Sequence, residues 1–206
     1  MNEVTIRAVI FDVGGVLVRT SDHTGREFWE QRLGLSRGQA EAIVLNSEMG
    51  HRAQRGEITD AALWAWVGDH LELGDNLPAF RRDFWRGDTV DLVLVDLISR
   101  LHRHHQTAII SNATDALLIT LEQYHLRSMF DVIVGSAYEG VMKPDPAIFQ
   151  AALIRLGRAP NETVFIDDAP ANVTGARALG MHAILFTPAL SLAQELAALG
   201  VIAEPD

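Results

Sequence analysis

Short, uninterrupted apolar runs alternate along this chain with amphipathic stretches, and several of the apolar runs stop abruptly at polar groups. A run of four to eight apolar residues bounded by turn residues reads as a strand buried on both faces, the kind found in parallel sheets. Val4 to Val13 is the first such strand, ending at Asp12 with Gly14 and Gly15 opening a turn and Val16-Leu17-Val18 returning. Thr107-Ala108-Ile109-Ile110 is the second, closed by Ser111-Asn112. Val132-Ile133-Val134 is the third, Val164-Phe165-Ile166 the fourth, closed by Asp167-Asp168, and Ala183-Ile184-Leu185-Phe186 the fifth.

Between these strands the spacing changes to that of helices. Leu97 to Leu101 lies in one, and a second carries Leu117, Leu118 and Leu121, with Thr114 or Asp115 as its cap. Pro146 to Leu156 is a third, with proline at a tolerated first-turn position and Gly157 past its end. Asn172 to Leu179 is a fourth, stopped by Gly180, and Ser191 with Gln194 suggests a capping box for the last. Strands alternating with helices predict an α/β fold: a Rossmann-like, mostly parallel sheet with helices on both faces.

Residues 21–86 break this rhythm. All four tryptophans (Trp29, Trp64, Trp66, Trp85) fall there with Phe28, Phe80 and Phe84, and Leu63, Val67 and Leu71 recur at helical spacing after Thr59 or Asp60, either a plausible N-cap. Gly34, Gly56, Gly74 and Pro78 divide the segment into about four helices. The expectation is a core of residues 1–20 and 87–206 carrying an inserted helical subdomain of residues 21–86.

Composition narrows the function. Apolar residues make up 48% of the 206 and charged residues 21%, enough for a sizeable core. Acidic residues outnumber basic ones 27 to 17, a formal charge of -10, which argues against a nucleic-acid partner. The absence of cysteine excludes disulfides, thiolate metal sites and thiol nucleophiles. No stretch reaches the roughly 18 apolar residues of a membrane span, and the first residues lack a signal-peptide pattern, so a soluble cytoplasmic protein is expected.

The polar groups closing the strands carry the chemistry. Ligands of open α/β sheets bind outside the carboxyl ends of the strands. Asp12, Ser111-Asn112, a loop with Lys143, and Asp167-Asp168 would meet there, forming the hard anionic pocket that Mg²⁺ and a phosphate require. Asp12 could attack phosphorus to form an aspartyl-phosphate that water then hydrolyses. Mg²⁺ on Asp12 and Asp168 would neutralise the phosphoryl oxygens, Ser111 could bond one of them, and Lys143 could add fixed positive charge. Backbone N–H groups after Asp12 and around Asn112 are natural phosphate donors.

Four segments in this order, Phe11-Asp12-Val13-Gly14-Gly15-Val16-Leu17, Ile110-Ser111-Asn112, Lys143-Pro144-Asp145-Pro146 and Phe165-Ile166-Asp167-Asp168, resemble the motifs of haloacid dehalogenase-like hydrolases. Ala176-Arg177-Ala178-Leu179-Gly180 and the helical insertion agree, so the resemblance covers nearly the whole chain. It implies Asp12 as nucleophile and metal ligand, Gly14 as a backbone-carbonyl ligand, Ser111 and Lys143 as positioners of phosphate and nucleophile, Asp168 as a direct ligand, and Asp167 as a ligand direct or through water. It further implies a helical cap over the site and hydrolysis of a small phosphorylated metabolite; the tryptophan-rich segment leaves monomer and homodimer both open. One position departs from the pattern. Phosphatases of this family usually carry a second aspartate two residues after the nucleophile as general acid and base, and this chain has Gly14. Such groups contribute about 10²–10⁴-fold, most for poor leaving groups. Metal-independent 2-haloacid dehalogenation and low-turnover phosphate or metabolite binding are the alternatives; the Asp167-Asp168 pair weighs against the former and Gly14 motivates the latter.

Other polar clusters have plainer readings. His102, His104 and His105 lie at an exposed helix end, and His51, Arg52, Arg55, Arg19 and His23 are either substrate contacts in the cap and hinge or solvated side chains. Trp64 and Trp66, two apart, face different ways, one of them into the cap core.

Overall fold

The computed structural model describes residues 5–201. Its centre is a parallel sheet of five strands: β1 (Ala8–Phe11), β4 (Gln106–Ser111), β5 (Val132–Gly135), β6 (Thr163–Asp167) and β7 (His182–Leu185), in spatial order β5-β4-β1-β6-β7. Phe11 stands level with Ile109 on one side and with Ile166 on the other. Strand order therefore reverses at β1, and the crevice at such a reversal is where open α/β sheets take their ligands. The first strand starts later than its hydrophobic pattern suggests, at Ala8; Val4 lies outside the described residues.

Period-two alternation sends side chains to two cores. Val9, Phe11, Ile109 and Ile166 pack on one face with Leu97, Ile98 and Leu101 of α6 (Leu92–Leu101), Leu121 of α7 (Leu117–Gln123), and Leu192 and Leu196 of α11 (Leu192–Ala198). Ala8, Ile10, Ile110 and Phe165 face the opposite way, onto Phe149 and Leu153 of α9 (Pro146–Leu156) and Val173 and Ala176 of α10 (Pro170–Ala178). Burying both faces is why these strands read as unbroken apolar runs. A four-residue helix, α8 (Ser136–Glu139), follows β5 directly.

Two expected caps are built differently. The Ser191 side chain makes no capping bond, and Gln194 donates only its backbone N–H, to the Ser191 carbonyl, at 3.0 Å. Ahead of α7, Thr114 Oγ1 takes the Ala116 N–H at 3.3 Å, while Asp115 turns outward to the helical insertion. The sequence pattern of a cap does not reveal that a tertiary partner competes for the same side chain.

The chain leaves and re-enters the sheet region through an antiparallel ribbon, β2 (Val18–Thr20) against β3 (Asp88–Val90). Between them lie five helices, α1 (Thr24–Leu33), α2 (Gln39–Leu45), α3 (Glu48–Gln54), α4 (Asp60–His70) and α5 (Leu77–Trp85). That is one more than the breaks suggested, and Pro78 sits inside the first turn of α5. Thr59 caps α4 as expected, accepting from Ala62 N–H at 3.1 Å. Trp29, Leu63, Trp64, Val67, Phe80 and Phe84 form a third core. Trp66, two residues from Trp64, stacks instead on His70 at 4.7 Å.

Arg26 ties this helical layer to the ribbon. Its buried guanidinium donates to the Phe84 carbonyl at 3.0 Å, pairs with Glu41 at 2.5 Å and Asp88 at 3.2 Å, and lies over the Phe84 ring. Asp88 also accepts from Thr20 Oγ1 at 2.6 Å. At the far side, Asp60 receives Thr114 Oγ1–H at 3.1 Å and donates its own N–H to Asp115 at 2.7 Å, so α4 rests on the loop that follows β4. Among the described residues, no helix is long and apolar enough to cross a membrane.

Candidate functional site

Three strand ends bring the site together. Asp12 follows β1, Ser111 ends β4, and Asp167 ends β6; Asp12 donates its backbone N–H to the Ile166 carbonyl at 2.9 Å, extending the ladder by one residue past β1. Asp12, Asp167 and Asp168 each offer a carboxylate oxygen, and these lie within 4.8 Å of one another. Asp12 and Asp167 are buried, whereas Asp168 is exposed.

Lys143 arrives from the loop between α8 and α9, and its ammonium bridges the two buried carboxylates, 2.8 Å from Asp12 Oδ1 and 2.7 Å from Asp167 Oδ2. Its side chain is 1% exposed. It is the only lysine in a chain with 17 basic residues, the other sixteen being arginines. A compact ammonium fits between two carboxylates where a planar guanidinium would demand more room. That singularity is a signal in the sequence which the motif alone does not exploit.

Hydrogen bonds hold Asp12, Asp167 and the backbone of Lys143. Asp12 Oδ1 also accepts from Val13 N–H at 2.7 Å. Asp167 takes four: Oδ1 from Ala169 N–H at 2.8 Å and Asn172 Nδ2 at 3.0 Å, Oδ2 from Lys143 and from Asn172 Nδ2 at 3.1 Å. Those bonds use the acceptor capacity of a carboxylate. The Asn112 side-chain amide is engaged within the fold, by the backbone of Lys143. Its Oδ1 accepts Lys143 N–H at 2.7 Å and its Nδ2 donates to the Lys143 carbonyl at 3.0 Å. Ser136 braces the next residue similarly, accepting Ala113 N–H at 3.0 Å and donating to the Ala113 carbonyl at 3.2 Å. Asn172 and Ser136 escaped the motif reading; Asn172 has a weak signal, five residues after Asp167 in the first turn of α10, and Ser136 has none.

Gly14 and Gly15 do different things. Nothing lies within 4 Å of where a Gly14 side chain would begin. At Gly15, by contrast, φ is +77° and a Cβ would sit 2.1 Å from Asp168 Oδ2. Only glycine combines that left-handed backbone with so close an approach.

Burial drives Asp12 upward, to about 6 from 3.8; Lys143 opposes the shift and Asp167 adds to it. Desolvation, then the charge of Asp167, also raises Asp168. Three carboxylates against one ammonium leave uncompensated negative charge. The donors are all oxygen, the set preferred by a hard cation such as Mg²⁺. The residues present therefore fit that ion.

The other candidates lie elsewhere. Arg52 and Arg55 both pair with Glu57, at 3.1 and 2.6 Å, Arg19 pairs with Asp91 and caps the Phe186 ring, and His102 bonds Thr107 Oγ1 at 2.8 Å. The three arginines and His102 are thus engaged by neighbours in the fold.

Comparison with known proteins places these features in a family. The chain is 32% identical over 207 residues to acyl-CoA dehydrogenase family member 10 of Mus musculus, covering 94% of this chain but 19% of that much longer protein. It is 28% identical over 195 residues to a sesquiterpene phosphatase of Aspergillus oryzae, covering 93% and 95% of the two chains. A HAD family enzyme of Bacteroides thetaiotaomicron, solved in complex with magnesium and inorganic phosphate, shares the fold with a TM-score of 0.75 at 20% identity, over 92% of this chain and 98% of that one. The family model for haloacid dehalogenase-like hydrolases matches residues 6–180, and with Asp12, Ser111, Lys143 and the Asp167-Asp168 pair gathered at one sheet edge, the chain belongs to that family.

Proposed function

We propose that this protein is an Mg²⁺-dependent phosphatase that hydrolyses a small phosphorylated metabolite through an aspartyl-phosphate on Asp12. The observation that carries this reading is the carboxylate triad within 4.8 Å, with Lys143 seated between two of its members. A halide-displacing site has no use for so much fixed negative charge. Relatives named as phosphatases, and a structural neighbour holding magnesium and phosphate, support the same direction.

Asp12 and Asp168 would hold the metal directly, with the Gly14 carbonyl, and Asp167 would hold it directly or through water. When bound, Mg²⁺ supplies neutralising charge for the phosphoryl oxygens. The chain's own residues do the rest. Val13 and Lys143 hold Asp12 by Oδ1, and Oδ2 makes the attack in this reading. As the Oδ2–phosphorus bond forms, the bond from phosphorus to the ester oxygen breaks, and Ser111 and Lys143 steady the phosphoryl group. Residue 14 is glycine, so the departing alkoxide takes its proton from water. A second water then attacks phosphorus, the bond to Asp12 breaks, and inorganic phosphate leaves. In this scheme residues 21–86 form a cap over a core of residues 1–20 and 87–206 and select the substrate.

The test is phosphate release from a panel of phosphorylated metabolites, with Mg²⁺ and with chelator, for the native protein and Asp12→Asn. Metal-dependent release lost in the variant is the expected result; release that persists in Asp12→Asn would overturn the nucleophile assignment.

A further inference from the structure

We infer that Asn112 is a positioning residue for Lys143, its side chain serving the catalytic ammonium through the backbone instead of binding the phosphate; this rests on the phosphatase reading above. Asp12, Ser111 and Asp167 stand on or directly after strands, where the sheet ladder fixes them. Lys143 lies outside that ladder, on the loop joining α8 to α9. A lysine has four rotatable side-chain bonds and is the least determined member of such a site. Something must hold its backbone if the ammonium is to meet Asp12 at 2.8 Å and Asp167 at 2.7 Å together.

Asn112 does this from the end of β4. Its amide presents an acceptor to Lys143 N–H and a donor to Lys143 C=O, the pair of bonds that a neighbouring strand would make. The loop is thereby joined to the sheet edge at the residue whose side chain matters. Ser136 in turn pins Ala113, the next residue after Asn112, through both backbone groups. The brace is thus itself held, and the ammonium at the far end is fixed between β1 and β6, over the Phe165 ring at 5.4 Å.

Because Lys143 is the only lysine, protein labelled with ¹⁵N-lysine gives a single backbone amide and a single side-chain ammonium resonance, both from this residue. Asn112→Ala should accelerate hydrogen exchange at that amide about 10-fold or more, as expected for two lost hydrogen bonds. It should lower kcat about 10–100-fold, the scale of a misplacement near 1 Å, while KM and the inhibition constant of inorganic phosphate stay within about 3-fold. Asn112→Asp keeps the acceptor for Lys143 N–H and loses the donor, so it should restore part of the amide protection and part of kcat. Asn112→Ala with native kcat would overturn the proposal. So would a phosphate inhibition constant rising with the loss of kcat while the lysine resonances stay put, since Asn112 would then be acting on the phosphate. A native protein that releases no phosphate would refute the phosphatase reading alone; the exchange measurement on both variants still decides whether Asn112 holds Lys143.

Discussion

Replacing Asp12 by asparagine should make the metal-free protein more stable while abolishing its chemistry. A buried carboxylate whose native pKa is about 6, against 3.8 in the unfolded chain, prefers to be neutral in the fold. The sign follows from proton binding. Between those two values the native state holds the proton more tightly than the unfolded state, so stability falls as pH rises through the interval. The contribution is fully present below pH 3.8 and lost above about 6. At 1.36 kcal/mol per pH unit the interval corresponds to about 3 kcal/mol of cost at neutral pH. Asparagine is neutral at every pH, keeps an oxygen to accept from Val13 N–H and Lys143, and leaves Lys143 its bridge to Asp167. For a chain of this size, about 3 kcal/mol is roughly 6–12 °C in Tm. The assay is thermal unfolding in chelator from pH 4 to pH 8, followed as the difference between Asp12→Asn and native protein. Taking the difference removes the contributions of Asp83 and Asp91, whose lowered values act in the opposite direction. The gap should be small at pH 4, grow to its full size near pH 7, and shrink when Mg²⁺ is added, because the native site, with one more carboxylate, gains more from the ion than the variant. A variant no more stable than native protein at pH 7, or a gap that does not change with pH, would refute this account of the site's electrostatics.

Three further substitutions probe neighbouring features. Gly14→Asp places a carboxylate where nothing lies within 4 Å, and should raise kcat/KM for alkyl phosphates by about 10-fold or more while leaving p-nitrophenyl phosphate nearly unchanged; equal effects on both would argue against an acid–base role. Gly15→Ala drives a methyl to 2.1 Å from Asp168 Oδ2 on a left-handed backbone, and should cost about 1–2 kcal/mol and weaken Mg²⁺ binding in calorimetry. Arg26→Ala strips a buried cation from Asp88 and from the Phe84 carbonyl, and should lower stability by about 3 kcal/mol in urea unfolding; a loss below about 1 kcal/mol would mean that the guanidinium does not weld the helical layer to the ribbon.

Much of this site is legible before any folding. The strand ends at Asp12, Ser111 and Asp167 announce themselves because strands buried on both faces must be apolar, so a carboxylate or hydroxyl terminating one is conspicuous. The helix from Pro146 to Leu156 has the same bounds in sequence and structure, since proline and Gly157 act locally on the backbone. Local chemistry also marks Thr59 as a cap. Ser191 misled for the same reason: a capping pattern records what a side chain is able to do, and not whether a bond forms.

What the chain by itself determined is the order of elements, the sheet class and which residue types gather at the sheet edge, all of which follow from backbone preferences and burial periodicity. Tertiary structure alone decided how those groups are held. Asn112 and Lys143 are 31 residues apart, Arg26 and Asp88 are 62 apart, and nothing in their local patterns pairs them. It also separated the two adjacent glycines, giving Gly15 a left-handed backbone beside the Asp168 carboxylate and leaving Gly14 in open space. Periodicity is a property of neighbouring residues along the backbone, whereas a buried polar group is satisfied by whichever partner the packing brings within about 3 Å.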